Sequence, residues 1–294
     1  MKELLFTKMH GIGNDYIYIN CLSSIPDHIS RLAVEMSRQH TGVGADGIIL
    51  ILPSDNADFG MRIFNADGSE AKMCGNGARC VGKYLWDYNL TDSTHITLET
   101  LSGIKHLYLH PDAQGSVNTV TVDMGAPSTL CKNIGVTHNC EEMIEFPISI
   151  DDSIYRITAV SMGNPHGVIF TDSLSDIDIA DLGSKLEHHP MWHDRANIEF
   201  IETIDSSHIN MRVWERGSGE TMACGTGACA AAVAARITGR CQAESITVSL
   251  LGGDLQISFA DNGNVMLTGP AATVMEGRYF TQDINPTEST QSQC

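Results

Sequence analysis

The sequence lacks any long hydrophobic run. No apolar segment approaches the roughly 20 residues that a helix needs to span a bilayer. The apolar stretch near the start, Leu4–Phe6, is also shorter than the core of roughly 7–15 residues in a secretory signal peptide. These absences argue against a membrane-spanning or secreted protein, and we expect a cytoplasmic location.

Basic residues are scarce as well, since 18 lysines and arginines oppose 36 aspartates and glutamates and leave a formal charge of −18. A field of that sign repels the phosphates of nucleic acids and of anionic lipid surfaces. We therefore expect no nucleic acid and no membrane among the partners. The acidic balance favours solubility and identifies no substrate.

Cysteine pairs of the C-x-x-C type are absent, although the chain has nine cysteines. Their odd number and wide spacing indicate reduced thiols and not a disulfide framework. His188, His189 and His193 lie close together, but no cysteine or carboxylate accompanies them in a recognised ligand pattern. The sequence predicts no metal site.

Apolar residues alternate or form short runs through most of the chain, which predicts strands. Four stretches have a helical pattern instead: Ile25–His40, Gly75–Tyr88, Ile179–His188 and Gly225–Ile237. The predicted strands are Tyr16–Asn20, Gly47–Leu52, Met61–Phe64, His95–Leu98, Val120–Met124, Arg156–Val160, Val168–Thr171, Asn197–Ile201, Ile209–Trp214, Ile246–Leu250 and Leu255–Phe259. The fold class is therefore α/β (α+β), with more strand than helix.

Two glycine-rich segments resemble each other and predict a duplication. One reads Cys74-Gly-Asn-Gly-Ala-Arg79 and the other Cys224-Gly-Thr-Gly-Ala-Cys229, and each opens a predicted helix. Small residues cover almost the whole circumference of the helix Gly225–Ile237, which is typical of a helix buried on all sides. We predict two pseudo-symmetric domains, each a curved, mostly antiparallel sheet wrapped around a central helix.

Each of these cysteines lies at the positive end of a helix dipole. That position stabilises the thiolate and predicts a lowered pKa for the thiols of Cys74 and Cys224. The free N–H groups of the same helix ends can hold a carboxylate. Two such halves would place two thiols on opposite faces of one carboxylate-bearing carbon, which is the arrangement that inverts a stereocentre. The helix ends can stabilise the charged intermediate, so we predict no cofactor.

Two other functions fit parts of the pattern. Cysteines of low pKa also suit a non-catalytic redox sensor or thiol-binding protein. The segment Gly42–Gly47 matches the dinucleotide fingerprint G-x-G-x-x-G, but it follows a helix and precedes an apolar run, the reverse of strand–loop–helix order. We therefore exclude a dinucleotide site.

Five motifs, in order along the chain, resemble those of diaminopimelate epimerases. The first cysteine lies in Asn65-Ala-Asp-Gly-Ser-Glu-Ala-Lys-Met-Cys74-Gly-Asn-Gly-Ala-Arg79, and the second in Glu215-Arg-Gly-Ser-Gly-Glu-Thr-Met-Ala-Cys224-Gly-Thr-Gly-Ala-Cys229. The others are Met9–Asp15, Ser161–His166 and Arg195–Asn197. The resemblance covers about residues 5–280. Proline racemases share the logic but carry a Cys-Gly-His turn, which this sequence lacks.

The resemblance implies cofactor-independent interconversion of LL- and meso-2,6-diaminoheptanedioate, a step in lysine and peptidoglycan precursor synthesis. It also implies that the last strand returns to the first domain. We therefore divide the chain into an N-terminal half of residues 1–125 plus 270–294 and a C-terminal half of residues 126–269, with a polar tail from Asp283 that we predict to be disordered. The expected partner is a small amino-acid substrate, and a homodimer is a further expectation.

The resemblance also assigns site residues by matching positions. Cys74 and Cys224 are the base and acid pair, whose roles swap with reaction direction, and His166 and Glu215 are polar groups that help set their protonation. The residues that correspond to substrate-binding groups are Asn14, Asn65, Asn164, Asn197, Glu215 and Arg216, together with the backbone of Gly75, Asn76, Gly225 and Thr226. Arg216 can offer a bidentate fork to a second carboxylate.

Two features bear on which amino acid is bound. Some members of the family carry a glutamine in the pocket where this sequence has Gly47, so one of their substrate hydrogen bonds has no counterpart here. The alternative substrate for the same fold is another amino acid, such as proline or hydroxyproline. Arg216 and the asparagines favour a substrate with a second charged amino-acid end, because a smaller substrate would leave buried polar groups unpaired.

Overall fold

The strands and helices of the first half surround α2, which begins directly after Cys74. The computed structural model describes residues 2–281, so the predicted tail from Asp283 lies outside the described residues. The strands of this half are β1 (Lys2–Gly11), β2 (Asn14–Asn20), β3 (Gly47–Leu52), β4 (Phe59–Asn65), β5 (Glu70–Ala71), β6 (His95–Thr100), β7 (Gly103–Pro111) and β8 (Val117–Asp123). Its helices are α1 (Ile29–Ser37) and α2 (Gly75–Asp87).

The second half surrounds α5, which begins directly after Cys224. Its strands are β9 (Phe146–Ile150), β10 (Ser153–Ser161), β11 (Pro165–Thr171), β12 (Asn197–Asp205), β13 (His208–Glu215), β14 (Gly219–Glu220), β15 (Ser245–Leu250), β16 (Gly253–Phe259) and β17 (Val265–Pro270). Its helices are α3 (Cys131–Ile134), α4 (Ile179–Glu187) and α5 (Gly225–Ile237), with a 3₁₀ turn at Leu174–Asp176. A last strand, β18 (Ala272–Thr281), follows.

Strand pairing repeats from one half to the other. The antiparallel pair β1–β2 corresponds to β10–β11, and the parallel pair β2–β3 corresponds to β11–β12. The parallel contact β4–β6, which spans the cysteine helix, corresponds to β13–β15. The hairpins β6–β7–β8 and β15–β16–β17 also match. The predicted pseudo-symmetric fold, with curved and mostly antiparallel sheets around central helices, is therefore confirmed.

The central helices are buried because their sequences allow strands to approach closely. Residues Ala228–Ala235 of α5 are small or β-branched, and all of them are buried. In α2, the buried stretch runs from Gly75 to Leu85. Both helices contribute to one hydrophobic core that includes strand residues of both halves. The two cysteine-bearing helix starts thus share a water-poor environment.

The halves are joined along their sheets. β17 pairs antiparallel with β8, and β18 returns to pair antiparallel with β1 along its whole length. This return is consistent with the predicted division of the chain, which itself stays a prediction. Between residues 2 and 281, no helix is both long and apolar enough to cross a membrane.

The helix predicted at Ile25–His40 is shorter in the structure, where α1 is Ile29–Ser37. His28 adopts a left-handed conformation at its start, and Arg38 is extended at its end. The chain then folds back, and the N–H of Val43 donates to the carbonyl of Met36. The apolar spacing identified the helix, but the left-handed backbone of His28 and the extended backbone of Arg38 set its ends.

Candidate active site

Cys74 and Cys224 occupy equivalent positions, as the N-cap residues of α2 and α5. Each has an extended backbone. The Sγ of Cys74 accepts a hydrogen bond from the N–H of Gly77 at 3.3 Å, and the Sγ of Cys224 accepts one from Gly227 at 3.3 Å. A side-chain acceptor at this position satisfies an N–H group that the helix leaves free. Both sulfurs are thus held at a helix N-terminus.

Both cysteines line one cavity of about 900 Å³ between the two halves. The cavity receives residues from the ends of β2, β4 and β13 and from the first turns of α2 and α5. The predicted site residues that line it are Asn14, Asn65, Cys74, Gly75, Asn76, Glu215, Cys224, Gly225 and Thr226. The structure therefore brings most of the predicted site into one place.

On the Cys74 side, Asn14 lies between the thiol and a carboxylate. Its Oδ1 accepts hydrogen bonds from the Sγ of Cys74 at 3.4 Å and from the Nδ2 of Asn76 at 3.3 Å. Its Nδ2 donates to the Oδ2 of Asp46 at 2.6 Å. Because the carboxylate only accepts, Asp46 fixes which way the Asn14 amide points. Asp46 also lines the cavity, and the sequence analysis did not identify it.

On the Cys224 side, Glu215 is the nearest carboxylate of the cavity wall. It accepts a hydrogen bond from the hydroxyl of Thr221 and interacts with the thiol of Cys224. Burial raises the pKa of Glu215, while these two donors oppose the rise. Burial thus favours the protonated form of this carboxyl group beside the Cys224 thiol.

His166 and Asn164 lie behind the cavity wall and not in it. His166 is fully buried, and its two ring nitrogens face acceptors: Nδ1 lies 2.7 Å from Oε1 of Glu199 and Nε2 lies 3.1 Å from Oδ1 of Asn164. The Nδ2 of Asn164 donates to the hydroxyl of Thr226 at 3.4 Å. The pair is thus connected to the cavity through Thr226.

Asn197 and Arg216 are linked to each other and also lie outside the cavity lining. The Oδ1 of Asn197 accepts from the backbone N–H of Arg216 at 2.9 Å, and its Nδ2 donates to the carbonyl of Pro165 at 3.2 Å. The guanidinium of Arg216 binds the carbonyl and the carboxylate of Asp194, at 2.9 and 3.3 Å. In this structure Arg216 is therefore paired within the protein and does not face Cys74 or Cys224 across the cavity.

The pKa of each cysteine departs from the direction that the sequence predicted. Burial raises the pKa of Cys74, although the N–H of Gly77 and the charge of Arg79 oppose it. Burial raises the pKa of Cys224 well above its usual value, and the carboxylates of Glu215 and Glu199 add to the rise. The prediction of lowered values was wrong, because losing contact with water outweighs the helix N–H groups.

Glu199 is a second residue that the sequence analysis missed. It is fully buried in β12, where its neighbours Ile198 and Phe200 are core residues. A carboxylate within a strand predicted to be buried was the available signal, since charged residues are almost never fully buried unless they are paired. Its partner is His166, which the sequence analysis did identify.

Gly47 departs from the members of the family that carry a glutamine, and the structure gives a reason. A Cβ atom at this position would collide with the backbone carbonyl of Phe64 on the neighbouring strand β4. The backbone would have to move before any side chain could be accommodated. The close pairing of β3 with β4 therefore excludes a glutamine at position 47 in this backbone.

Comparison with known proteins gives a consistent result. A family model described as "Diaminopimelate epimerase" matches residues 6–130 and 158–274. A curated diaminopimelate epimerase from Acetivibrio thermocellus is 50% identical over 92% of this chain and 97% of its own length. One from Phocaeicola vulgatus is 53% identical over 92% of this chain and 96% of its own length, and one from Bacillus subtilis is 47% identical over 95% of this chain and 100% of its own length.

Solved structures share the fold at low sequence identity. A PhzF-family phenazine biosynthesis protein from Bacillus anthracis superposes with a TM-score of 0.70 at 19% identity, covering 96% of this chain and 100% of that chain. A hydroxyproline epimerase from Agrobacterium vitis superposes with a TM-score of 0.68 at 14% identity, covering 94% of this chain and 92% of that chain. The sequence matches over most of both lengths place this chain in the diaminopimelate epimerase family.

Proposed function

We propose that this protein interconverts LL- and meso-2,6-diaminoheptanedioate by a two-base mechanism with Cys74 and Cys224. The observation that carries the proposal is that two thiols, each at the N-terminus of a buried helix, line one cavity. Relatives about half identical to this chain are curated diaminopimelate epimerases. The pseudo-symmetry supplies one proton acceptor and one proton donor on two sides of a bound carbon.

In the proposed reaction one cysteine is a thiolate and the other a thiol. The thiolate accepts the α-proton, and the electron pair of the broken C–H bond is delocalised into the substrate carboxylate. The opposite thiol then donates its proton to the other face, so the enzyme gains one proton and releases one. The N–H groups around Gly75, Asn76, Gly225 and Thr226, in the first turns of α2 and α5, are proposed to stabilise the carboxylate as its charge grows.

The distal amino-acid end of the substrate would bind at the rim of the same cavity. Asn14, Asn65 and Glu215 supply side-chain oxygens there for an ammonium group. Asn164, Asn197 and Arg216 are proposed to complete this binding. The Arg216 guanidinium is held by Asp194, so binding a substrate carboxylate requires it to exchange that partner. Losing the contact with Asp194 costs free energy. A bidentate pair between the guanidinium and the substrate carboxylate would offset that cost, because the contact with Asp194 uses Nη1 alone.

Hydroxyproline or proline is the alternative substrate. The solved hydroxyproline epimerase shares the fold at 14% identity, and identity at that level shows the fold alone. The relatives at about 50% identity carry the name diaminopimelate epimerase, so the alternative is not favoured.

The test is isotope exchange with purified, reduced enzyme and LL-diaminopimelate in D₂O, without added cofactor. We expect deuterium to enter one α-carbon while the meso isomer accumulates, as followed by NMR. Parallel reactions with proline and trans-4-hydroxyproline are the matched controls. Exchange confined to a cyclic substrate, or no exchange at all, would overturn the substrate assignment.

Two further predictions from the sequence stay proposals. We infer a cytoplasmic location because the proposed substrate is a precursor in amino-acid biosynthesis. We also infer a homodimer. Neither bears on the chemistry of the cavity described above.

A further inference from the structure

The two cysteine helices are equivalent in backbone but not in the charges placed beside them. Counting from each cysteine, Gly77 matches Gly227 and Arg79 matches Cys229. A Cβ on Gly77 would contact the side chain of Ile49 on β3, whereas one on Gly227 would contact Oε1 of Glu199 on β12. Thus Arg79 belongs only to the Cys74 half. Glu199 belongs only to the Cys224 half, where it takes the place of an isoleucine.

Arg79 is a buried cation with little compensation. It is fully buried, and its Nε donates to the carbonyl of Pro270 at 3.2 Å. Within residues 2–281, both of its terminal nitrogens lack a hydrogen-bond partner. Gly11 and Gly269 flank the guanidinium, because a Cβ on either would come within 2.8–3.1 Å of it. A site shaped around an unpaired cation needs negative charge nearby, since burying an isolated charge is costly.

Glu199 is the corresponding buried anion under α5. Its Oε1 lies 2.7 Å from Nδ1 of His166, while its Oε2 has no hydrogen-bond partner among the described residues. Its Oε1 would lie 2.7 Å from a Cβ on Gly227, so the carboxylate is packed against the first turn of α5. That position places negative charge close to the Sγ of Cys224, which the same glycine N–H contacts.

We propose that Arg79 and Glu199 are positioning residues that break the pseudo-symmetry of the two thiols, so that Cys74 ionises before Cys224 and carries the negative charge when the pair has lost one proton. The inference rests on the proposed two-base function and adds to it an order of ionisation. Arg79 attracts the charge of a Cys74 thiolate. Glu199 repels the charge of a Cys224 thiolate.

The other titratable groups around the sulfurs do not cancel this asymmetry. Glu215 from β13 raises the pKa of both thiols, but only at Cys74 does the charge of Arg79 oppose it, while at Cys224 the charge of Glu199 adds to it. Tyr16 and Tyr18 from β2 face Cys74, and burial keeps both neutral by raising the pKa of each well above its usual value. His166 from β11 contacts only one of the two carboxylate oxygens of Glu199.

The consequence is a directional resting state. When the pair has lost one proton, Cys74 is the thiolate and Cys224 the thiol, and the enzyme is prepared to remove the α-proton that faces Cys74. After that turnover the charge resides at Cys224, and the proton must be redistributed before the same isomer can react again. The forward and reverse reactions therefore start from different protonation states of the cysteine pair, of which the one with the thiolate at Cys74 is favoured.

The experiment measures the ionisation of each thiol separately, without substrate. Reduced enzyme is pulsed with a trace of iodoacetamide across pH 6–10, and the labelling of the Cys74 and Cys224 peptides is quantified by mass spectrometry. Because only the thiolate reacts, the pH midpoint of each profile reports its own ionisation and not its accessibility. We expect the Cys74 midpoint to lie below that of Cys224.

Variants assign the asymmetry to the two residues. Glu199→Gln keeps size and hydrogen-bonding capacity, and we expect it to raise Cys224 labelling at pH 8 by roughly threefold or more while changing Cys74 less. Arg79→Met should lower Cys74 labelling at the same pH, and Arg79→Lys should restore it. The control is Glu202→Gln, the same change on β12, where Glu202 instead accepts from the backbone N–H of Leu174.

Three outcomes would overturn the inference: a lower midpoint for Cys224, equal shifts of both cysteines in Glu199→Gln, or no shift in that variant. If Arg79→Met fails to fold by circular dichroism, Glu199→Gln and Arg79→Lys still decide the matter. Because labelling needs no substrate, failure of the proposed epimerisation in D₂O is a separate result and leaves the order of ionisation measurable.

Discussion

At the scale of single residues, the role of a cysteine depends on its position in the helix. Cys74 and Cys224 cap their helices and face the cavity, whereas Cys80 and Cys229 lie further along the same helices and are fully buried in the core. The thiols of Cys80 and Cys229 lie among the apolar side chains of the core, where they pack as small apolar groups. Position at the helix start therefore distinguishes reactive thiols from structural ones.

Replacing either capping cysteine tests this distinction. We expect Cys74→Ala and Cys224→Ala each to lower the epimerisation rate by roughly a thousandfold or more, because one of the two proton-transfer groups is lost. Any remaining exchange with D₂O should proceed without inversion, since only one face of the carbon can then be protonated. Cys229→Ala is the matched control, with near-normal turnover. Near-normal inversion in either capping variant would contradict the two-base scheme.

Glu215 predicts a pH-dependent cost in stability. Burial raises its pKa in the folded protein above the usual value of 4.5, so the folded state binds more protons than the unfolded chain between the usual and the raised pKa. Stability from this group therefore falls as the pH rises through that window, and the loss is complete above the folded pKa. Glu215→Gln should abolish the loss and raise the Tm at pH 8 by a few degrees, as expected for about 1 kcal/mol.

The gain in Tm should disappear near pH 4, where the unfolded carboxyl is also protonated, and activity should fall at every pH. Thermal melts of both proteins at pH 4 and pH 8 provide the measurement. A gain of equal size at both pH values would show that improved packing, and not ionisation, is responsible.

At the scale of elements, the two glycines that close the first helical turns form a natural pair. Alanine favours a helix over glycine by up to about 1 kcal/mol, so both Gly77→Ala and Gly227→Ala gain in intrinsic propensity. The new methyl group at residue 77 meets the flexible end of Ile49, whereas at residue 227 it meets Oε1 of Glu199, which is locked to His166.

We therefore expect Gly227→Ala to lower kcat by about tenfold or more and to destabilise the fold, because it displaces a buried charged pair. Gly77→Ala should lower kcat by less and leave the Tm within a few degrees of the original protein. Steady-state kinetics and melts of the two variants side by side provide the measurement. The opposite ranking would mean that the Glu199–His166 pair does not support the site.

Another element, α4, ends in a buried carboxylate that holds the turn after β13. Glu187 accepts hydrogen bonds from Trp214 Nε1 at 2.8 Å, from Gly217 N at 2.9 Å and from Arg195 Nη1 at 3.2 Å. Arg195 has a left-handed backbone, with a φ of 53°, so this contact also secures a strained residue two positions before Asn197. Glu187 thus connects the two segments that carry Asn197 and Arg216.

Glu187→Ala should destabilise the protein by roughly 1–3 kcal/mol, because three hydrogen bonds to a buried carboxylate are lost. It should raise KM for diaminopimelate more than it lowers kcat, since the distal end of the substrate is affected and the thiols are not. Glu187→Gln retains one acceptor and should be intermediate in both respects. Urea unfolding and steady-state kinetics give the two readouts, and a change confined to kcat would contradict the assignment.

At the scale of the whole molecule, the sequence allowed prediction of local patterns better than of long-range pairing. The helix Gly225–Ile237 was predicted with its observed bounds, because its glycine turn and small residues are local signals. β1 and β18 were not predicted as strands. Most residues of β18 are exposed, so the strand does not need the alternation of apolar and polar residues by which strands are recognised. Its partner, β1, lies at the other end of the chain. Neither segment contains a local pattern that predicts which residues of β1 and β18 pair.

The site shows the same division between local and long-range information. Cys74 and Cys224 could be predicted because each lies within one continuous motif. The link between Arg216 and Asp194 could not, because it depends on how the turn after β13 packs against the segment before β12. Glu199 lacked a motif of its own, and its role depends on a parallel strand pairing that places His166 opposite Asn197.

The predicted homodimer can be tested at the face formed by β1 and β18. β18 is ten residues long, and β1 is its strand partner in the described part of the chain, so its other edge is unpaired there. The outer face carries apolar side chains, with Leu5 64% and Phe280 59% exposed. A long unpaired strand edge beside an exposed apolar face favours aggregation unless another surface covers it. A second copy, related by a twofold axis, is the simplest cover.

We therefore expect the protein to elute as a dimer in size-exclusion chromatography with light scattering at micromolar concentration. Phe280→Asp and Leu5→Asp should shift it toward the monomer with an unchanged circular dichroism spectrum, because each places a charge in the covered face. Ile154→Asp is the control, since Ile154 is 73% exposed on β10 in the other half and should leave the mass unchanged. A monomeric wild-type protein, or dissociation caused by Ile154→Asp alone, would mean that β18 is protected in some other way.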